Sequence, residues 1–184
     1  MMYVEIEKDL SEQLRVFFNN KSGTINKLLN KALAKTTTYI KKATSNEIKD
    51  EYDIYGGLIN LGLKTITRNG ESKLLASLKR KDISDFYVSM MTPGRSENKL
   101  LAKVKKKSGA TEMKTMFWAF YKNDTSKLAL YIRLSERNHI TRVKSPSLFQ
   151  MATSIEVSEE VIKGANKVFN EALEKLMKKE LESV

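Results

Sequence analysis

The chain has 184 residues, which is long enough for one medium-sized domain with its own core, and we expect a single domain over residues 1–184. It contains no Cys and one His, which excludes disulfides and cysteine nucleophiles and leaves too few ligands for a zinc site. Its 33 Lys and Arg residues outnumber its 22 Asp and Glu residues and give a net charge of +11, which is typical of a chain that meets a polyanion or has a solvated basic surface.

The N-terminal region shows no targeting or membrane pattern. No apolar run approaches the roughly 20 residues needed to cross a bilayer, and the first residues mix acidic and basic side chains instead of forming a signal peptide. We therefore expect a soluble protein made in the cytoplasm, without a membrane partner. Residues 1–22 are predicted to form a flexible or strand-like segment before the first helix.

The first clear element is a helix from about Thr24 to Lys49. Apolar residues such as Leu28 and Leu33 recur at helical spacing and form a stripe for burial. The opposite face carries lysines and no acidic residue before Glu47, which invites an anionic partner. The candidate nucleic-acid contacts on this face and on a later basic strand are Lys27, Lys31, Lys35, Lys42, Lys103, Lys105, Lys106 and Lys107. A solubilising face explains the same pattern, because lysines without Arg or aromatic neighbours are a weak recognition signal.

The middle of the chain is predicted to be an antiparallel sheet. Three glycines at 56, 57 and 62 indicate irregular helical turns, and Asn69-Gly70 between alternating residues predicts a hairpin. Further strands are expected at Asp85–Met91, Lys99–Lys105, Phe117–Tyr121 and Lys127–Leu134. Because Phe117, Trp118 and Phe120 alternate along one strand, at least one aromatic ring faces away from the others, where it could serve assembly.

Two helices are predicted after the last strand. In the first, Pro146 suits the first turn, Ser145 can cap it, and Leu148, Phe149 and Met151 fall near one face. The closing helix runs from about Ser158, which can cap it, to Glu180. The expected fold class is therefore α+β, with an antiparallel sheet of about five to six strands packed by a long N-terminal helix and a long C-terminal helix.

The sequence contains no constellation that predicts catalysis, so we expect neither an enzyme nor a bound cofactor or metal. Two acidic pairs, Asp82 with Asp85 and Asp50 with Asp53, lie in polar, turn-like stretches where solvated or capping carboxylates are usual. His139 lies between two arginines in the sequence, and loop solvation explains it better than catalysis.

The order of elements resembles the minor tail protein Z family of tailed phages and prophages. In that family two strands ending in an arginine lead to an extended segment with an Ile and then to a Pro-Ser step followed by an aliphatic residue and Met. The matching residues here are Arg133, Ile140, Pro146, Ser147, Leu148 and Met151. Upstream, the segments at 30–33, 51–54, 83–86 and 100–105 are similar to the family's earlier elements, so the resemblance covers most of the chain from about Ile25. Ser84, Asn138-His139 and Ser145 depart from the family's Pro and Gly residues.

The resemblance implies a non-enzymatic virion component that acts in tail completion and head–tail joining near the exiting DNA. Its implied partners are other phage tail or neck proteins, with a homo-oligomer expected in the assembled tail and a non-specific DNA contact left open. It implies a location in the cytoplasm of the bacterial host during assembly and then in the virion tail. The candidate subunit contacts are Arg133, Ile140, Arg142, Pro146, Ser147, Leu148, Phe149 and Met151.

Two other functions fit the same sequence. One is a stand-alone basic nucleic-acid-binding module, and the other is a hydrolase whose carboxylates form no recognisable pattern. Salt dependence distinguishes the first of these from a tail protein, because binding to nucleic acid weakens steeply with salt.

Overall fold

A computed structural model describes residues 22–68, 71–91, 99–113, 116–121, 124–133 and 139–182. The fold is mixed α+β, as the sequence predicts: a long N-terminal helix and a long C-terminal helix accompany several short antiparallel strands. Of the segment predicted at 1–22, only Ser22 is described, and it is already helical. Within the described ranges, no helix is both long enough and apolar enough to span a membrane.

The chain divides into two compact units. The first unit takes its described residues from Met1–Glu47, Leu63–Ala76 and Thr153–Val184, and the second from Ile48–Gly62 and Ser77–Ala152. The expectation of a single domain over residues 1–184 stays a prediction.

The first unit is built on the two long helices. Helix α1 spans Ser22–Glu51 and its last turn belongs to the second unit, whereas α4 spans Ile155–Leu181. These bounds confirm the predicted helices to within three residues at each end. The N-cap position of α4 is Ser154 and not Ser158, whose hydroxyl lies within the first turn and donates to the carbonyl of Ile155.

The apolar stripes of the two helices pack on each other. Their shared core contains Leu28, Ala32, Leu33, Phe169, Ala172 and Leu173. Gly164 allows close approach at a second point, because a Cβ added there would overlap the hydroxyl of Tyr39 and lie 2.8 Å from its Cζ. The small residue is therefore required by the packing of an aromatic side chain from the facing helix.

The first unit also contains a two-stranded antiparallel sheet. Strand β1 (Leu63–Arg68) pairs with β2 (Glu71–Ala76), which confirms the predicted hairpin strands, while Asn69-Gly70 lies outside the described residues. Thr67 and Ser72 are partners across this pair, and both hydroxyls bond to Thr37 Oγ1 of α1. Thr37 also donates to the carbonyl of Leu33, so the buried hydroxyl is fully paired.

The second unit contains short strands in small sheets. After α2 (Gly56–Gly62), strand β3 (Arg80–Asp82) leads through a 3₁₀ turn at Ile83–Asp85 to the first of two three-stranded sheets. One consists of β4 (Tyr87–Met91), β5 (Lys99–Lys103) and β6 (Thr111–Met113), and the other of β7 (Met116–Tyr121), β8 (Asp124–Arg133) and β9 (Ile140–Arg142).

The prediction of one sheet with five to six strands is wrong, because the largest sheets formed by the described residues have three. Alternation predicts that a segment is extended, but it does not specify which strands become neighbours. A core of Ile83, Ala102 and Leu130 is shared by β5, β8 and the 3₁₀ turn, and Trp118 packs against it.

The late Pro-Ser segment folds differently from the prediction. Pro146 lies in strand β10 (Lys144–Ser147), which pairs with β3, and the helix α3 begins only at Leu148 and ends at Ala152. Ser147 is the capping residue: Gln150 N–H donates to its Oγ (3.2 Å), and Ser147 N–H donates to Gln150 Oε1 (2.9 Å). Ser145, the predicted cap, instead donates its hydroxyl to the carbonyl of Lys81.

Candidate functional site

The best-defined candidate surface is one face of the β7–β8–β9 sheet in the second unit. Cross-strand partners on this face are Phe117 with Tyr131, Tyr131 with Arg142, and Arg133 with Ile140. Residues directly opposite each other on paired strands point to the same side of a sheet. We name these five residues the outer sheet face. The opposite side carries Trp118 and Leu130, which belong to the core.

The outer sheet face combines aromatic, aliphatic and cationic groups. The rings of Phe117 and Tyr131 stack with centroids 6.2 Å apart, and the Arg133 guanidinium lies 5.8 Å from the centroid of Phe117. Ile140 is 56% exposed beside Arg133. Aromatic residues and Arg are enriched in the cores of protein interfaces and among the residues that contribute most of the binding energy.

Only part of this sheet side is open. Ala129 lies on the same side by alternation, two residues before Tyr131, and it is fully buried. Arg142 is half-buried, and its Nη1 donates to Asp82 Oδ2 at 3.3 Å. The accessible end is therefore the one formed by Arg133 and Ile140, both of which are exposed.

The remaining predicted subunit contacts lie outside the outer sheet face. Ser147, Leu148 and Met151 are buried, and Pro146 is half-buried in β10. Leu148 fills the space that Gly62 leaves, because a Cβ on Gly62 would overlap Leu148 Cδ1. Phe149 is separated from Leu148 and Met151 on the short helix and is 39% exposed. We therefore retain Phe149 as a surface residue and assign the three buried side chains to support of the fold.

Two residues of the outer sheet face, Phe117 and Tyr131, are absent from the predicted contacts. Alternation showed that the aromatic residues of β7 divide between two faces, but only the register of β8 brings Tyr131 beside Phe117. Phe120 lies two residues after Trp118, so alternation predicts that it faces the core as Trp118 does. It is nevertheless 57% exposed, and the strand register is irregular between Phe120 and Tyr121. A bulge of this kind is not visible in a pattern of apolar residues.

The later basic run, Lys103–Lys107, contacts the C-terminal end of α1. The buried carboxylate of Glu51 forms ion pairs with Lys105 Nζ at 3.6 Å and with Lys107 Nζ at 3.0 Å. Lys105 also lies over the Tyr52 ring, and Lys106 N–H donates to the carbonyl of Glu51. A carboxylate at a helix C-terminus is unfavourable, and the two ammonium groups offset that cost. Two of the lysines predicted to contact nucleic acid are thus engaged within the protein.

The lysines on α1 have a different environment. Lys27, Lys31, Lys35 and Lys42 are all exposed, and we name them the lysine stripe. Their spacing puts them within an arc of about 80° around the helix axis. Among the residues that the structure describes, none of the four forms an ion pair with a carboxylate. Lys103 and Lys106 of the later run are half-buried and exposed, respectively.

The acidic pair at the start of the 3₁₀ turn is structural. Asp82 accepts hydrogen bonds from Lys144 and Arg142, and its own N–H donates to Asp85 Oδ2 at 3.2 Å. Burial raises the pKa of Asp85 above its ordinary value, although the hydrogen bond from Asp82 opposes this shift. No group of three potential metal ligands occurs in the described part of the chain. His139 is exposed and immediately precedes β9.

Comparison of the chain with known protein families, characterised proteins and solved structures finds no match.

Proposed function

We propose that this protein is a non-enzymatic structural component of a phage or prophage tail, acting in tail completion and head–tail joining near the exiting DNA. The observation that supports the proposal is the pairing of Arg133 with Ile140 on the outer sheet face. These two residues, seven positions apart in the sequence, are among those that carry the resemblance to the minor tail protein Z family. In the fold they are direct neighbours and exposed.

The outer sheet face suits a contact with another subunit. Ile140 offers apolar area that water solvates poorly, and Arg133 supplies a cation whose planar group can stack on a ring or bind a carboxylate. Its partners would be other tail or neck proteins, and copies of this chain would associate in the assembled tail. The protein would be made in the cytoplasm of the bacterial host, would act without a membrane, and would end in the virion tail.

Substitution of Ile140 tests this proposal. Ile140→Asp should abolish tail assembly or head joining, because it buries an unpaired charge in the contact. The melting temperature should stay within about 2 °C of wild type, because substitutions at exposed positions change stability little. The measurement is complementation of a phage or prophage lacking the gene, with plaques counted and filled heads and free tails scored by electron microscopy.

Ile155→Asp is the matched control. Ile155 is also exposed, at 70%, and it lies in the first turn of α4, where a carboxylate is favourable. This variant should assemble normally. Normal particles from Ile140→Asp, or equal defects in both variants, would contradict a subunit contact at the outer sheet face.

The stand-alone nucleic-acid-binding module remains the second candidate, and the observation that favours it is the lysine stripe. The salt dependence of binding distinguishes the two functions. A tail protein should bind other tail proteins with modest salt dependence, whereas a DNA-binding module should lose affinity for DNA steeply as salt is raised. Co-purification with tail subunits at ~0.1 and ~0.5 M salt distinguishes them, because exposed charges are screened strongly over that range.

A further inference from the structure

We infer that the lysine stripe of α1 is a docking surface for the phosphate backbone of a nucleic-acid duplex. This inference holds whether or not the protein belongs to a phage tail. It concerns the first unit, whereas the outer sheet face belongs to the second.

The geometry of the stripe suits a linear polyanion. Lys27, Lys31 and Lys35 follow one another every four residues, so their Cα atoms rise by about 6 Å at each step along α1. Lys42 extends the row to about 22 Å, which corresponds to roughly six base pairs of duplex at 3.4 Å each. The exposed residues between them on this side, Ala34 and Thr38, are small and allow the backbone to approach.

The charges of the stripe are available for a partner. The lysine stripe has no ion pair within the described chain, whereas Lys105 and Lys107 bind Glu51. The exposed face of α4 in the same unit has a different composition, because Glu171 and Glu174 lie among its lysines, and Lys167 pairs with Glu171 at 3.9 Å. Of these two long helices, α1 therefore presents the uncompensated positive charge.

The partner is a duplex and not a single strand, because single-stranded nucleic acids are held by aromatic side chains on which bases stack. The lysine stripe includes no aromatic residue, and Tyr39, the only ring within the described part of α1, contacts Gly164 of α4. The same composition predicts binding without sequence preference, since Lys contacts to phosphate carry no base information.

A membrane surface fits the helix less well. A helix that binds a bilayer inserts its apolar face between the lipid headgroups. The apolar face of α1 is occupied, because Leu28 and Leu33 pack against Phe169 and Leu173 of α4. Only the polar side remains open, and it offers cations with no apolar area to insert.

The test compares two variants with the same change of charge. One replaces the stripe (Lys27→Gln, Lys31→Gln, Lys35→Gln and Lys42→Gln), and the control replaces four exposed lysines of α4 (Lys163→Gln, Lys167→Gln, Lys175→Gln and Lys178→Gln). Binding of the purified full-length proteins to a labelled ~20-base-pair DNA duplex is measured by fluorescence anisotropy between ~50 and ~200 mM salt, with far-ultraviolet circular dichroism as the check on folding.

The four lysines set the expected result. Each phosphate neutralised contributes about 0.9 to the slope of log K against log salt, so removing the stripe should reduce the slope by about 3.6 units and the control should leave it nearly unchanged. Between ~50 and ~200 mM salt, a slope of about 3.6 lowers the affinity by about 150-fold. The stripe variant should lack this part of the wild-type salt dependence. Restoring charge with Arg at the four stripe positions should recover duplex binding.

Several outcomes would overturn the inference. Equal losses in the stripe variant and the α4 control would mean that only total charge matters. Tighter binding of a single strand than of the duplex, or stripe-dependent binding of vesicles containing anionic lipid without binding of the duplex, would identify a different partner. If the four-residue variant unfolds, the pair Lys31→Gln and Lys35→Gln replaces it, and an unchanged slope in that folded variant counts against the stripe.

Discussion

Gly164 lies in the interior of α4, where glycine is normally unfavourable. Relative to Ala it costs about 1 kcal/mol in helix propensity, yet no side chain fits because the Tyr39 hydroxyl occupies the position of the Cβ. The close approach of α1 and α4 therefore outweighs the intrinsic preference of this residue. Gly57 of α2 is the opposite case, since an added Cβ would meet no atom within 4 Å.

These two glycines give a matched prediction at the residue scale. Gly164→Ala should reduce the free energy of unfolding by about 1–3 kcal/mol through overpacking, whereas Gly57→Ala should be neutral or stabilise the protein by up to about 1 kcal/mol. Urea denaturation of both variants measures the difference. In a Tyr39→Leu background, which removes the ring, the cost of Gly164→Ala should fall. A cost that is unchanged in that background would show that Tyr39 is not the cause.

The two long helices are the elements that the sequence describes best, and each pattern predicts which side is buried. Adjacent positions on α1 show this clearly: Leu33 belongs to the core shared with α4, and Ala34 is exposed. A one-residue step rotates the side chain by about 100° around the helix, from the apolar stripe to the solvent side.

A charge at these adjacent positions tests the packing of the element. Leu33→Asp should destabilise the first unit by about 3–5 kcal/mol, because it removes buried apolar contacts and buries an unpaired carboxylate. Ala34→Asp adds the same group in water, and we expect a loss below about 1 kcal/mol. Thermal melting followed at 222 nm measures both variants. Wild-type melting of Leu33→Asp in a monodisperse sample would contradict burial of this side of α1.

At the scale of the whole molecule, the chain combines two compact units whose segments alternate along the sequence. The chain passes from the first unit to the second within α1 and changes unit three more times before the C-terminal helix begins. Because the continuous helix α1 belongs to both units, we expect unfolding as one cooperative transition, as for a single domain.

Two spectroscopic signals test whether the molecule unfolds as one domain. Trp118 is the only Trp and packs against the core of the second unit, so its fluorescence reports on that unit. Circular dichroism at 222 nm is dominated by the long helices, which lie mainly in the first unit. A single domain predicts coincident urea transitions for the two signals, within experimental error. Separate midpoints would instead assign independent stability to the two units.

The sequence by itself determined the helices, their buried sides, the β1–β2 hairpin and most strand segments, because these depend on periodicities within one stretch of chain. It also identified the lysine stripe, since helical spacing alone aligns those residues. Strand partners, by contrast, depend on contacts between distant segments of the chain. Only the tertiary structure therefore shows that the strands form several small sheets and not the one sheet that was predicted.

The same distinction applies to the candidate surfaces. Only the tertiary structure shows that Lys105 and Lys107 form ion pairs with Glu51. It also shows that Ser147 caps α3 in place of Ser145, and that Leu148 and Met151 are buried. It also joined Phe117, Tyr131, Arg133 and Ile140 on one sheet face through the register of three strands. Local spacing sets which side of an element a residue occupies, but what that side meets depends on residues far away in the chain.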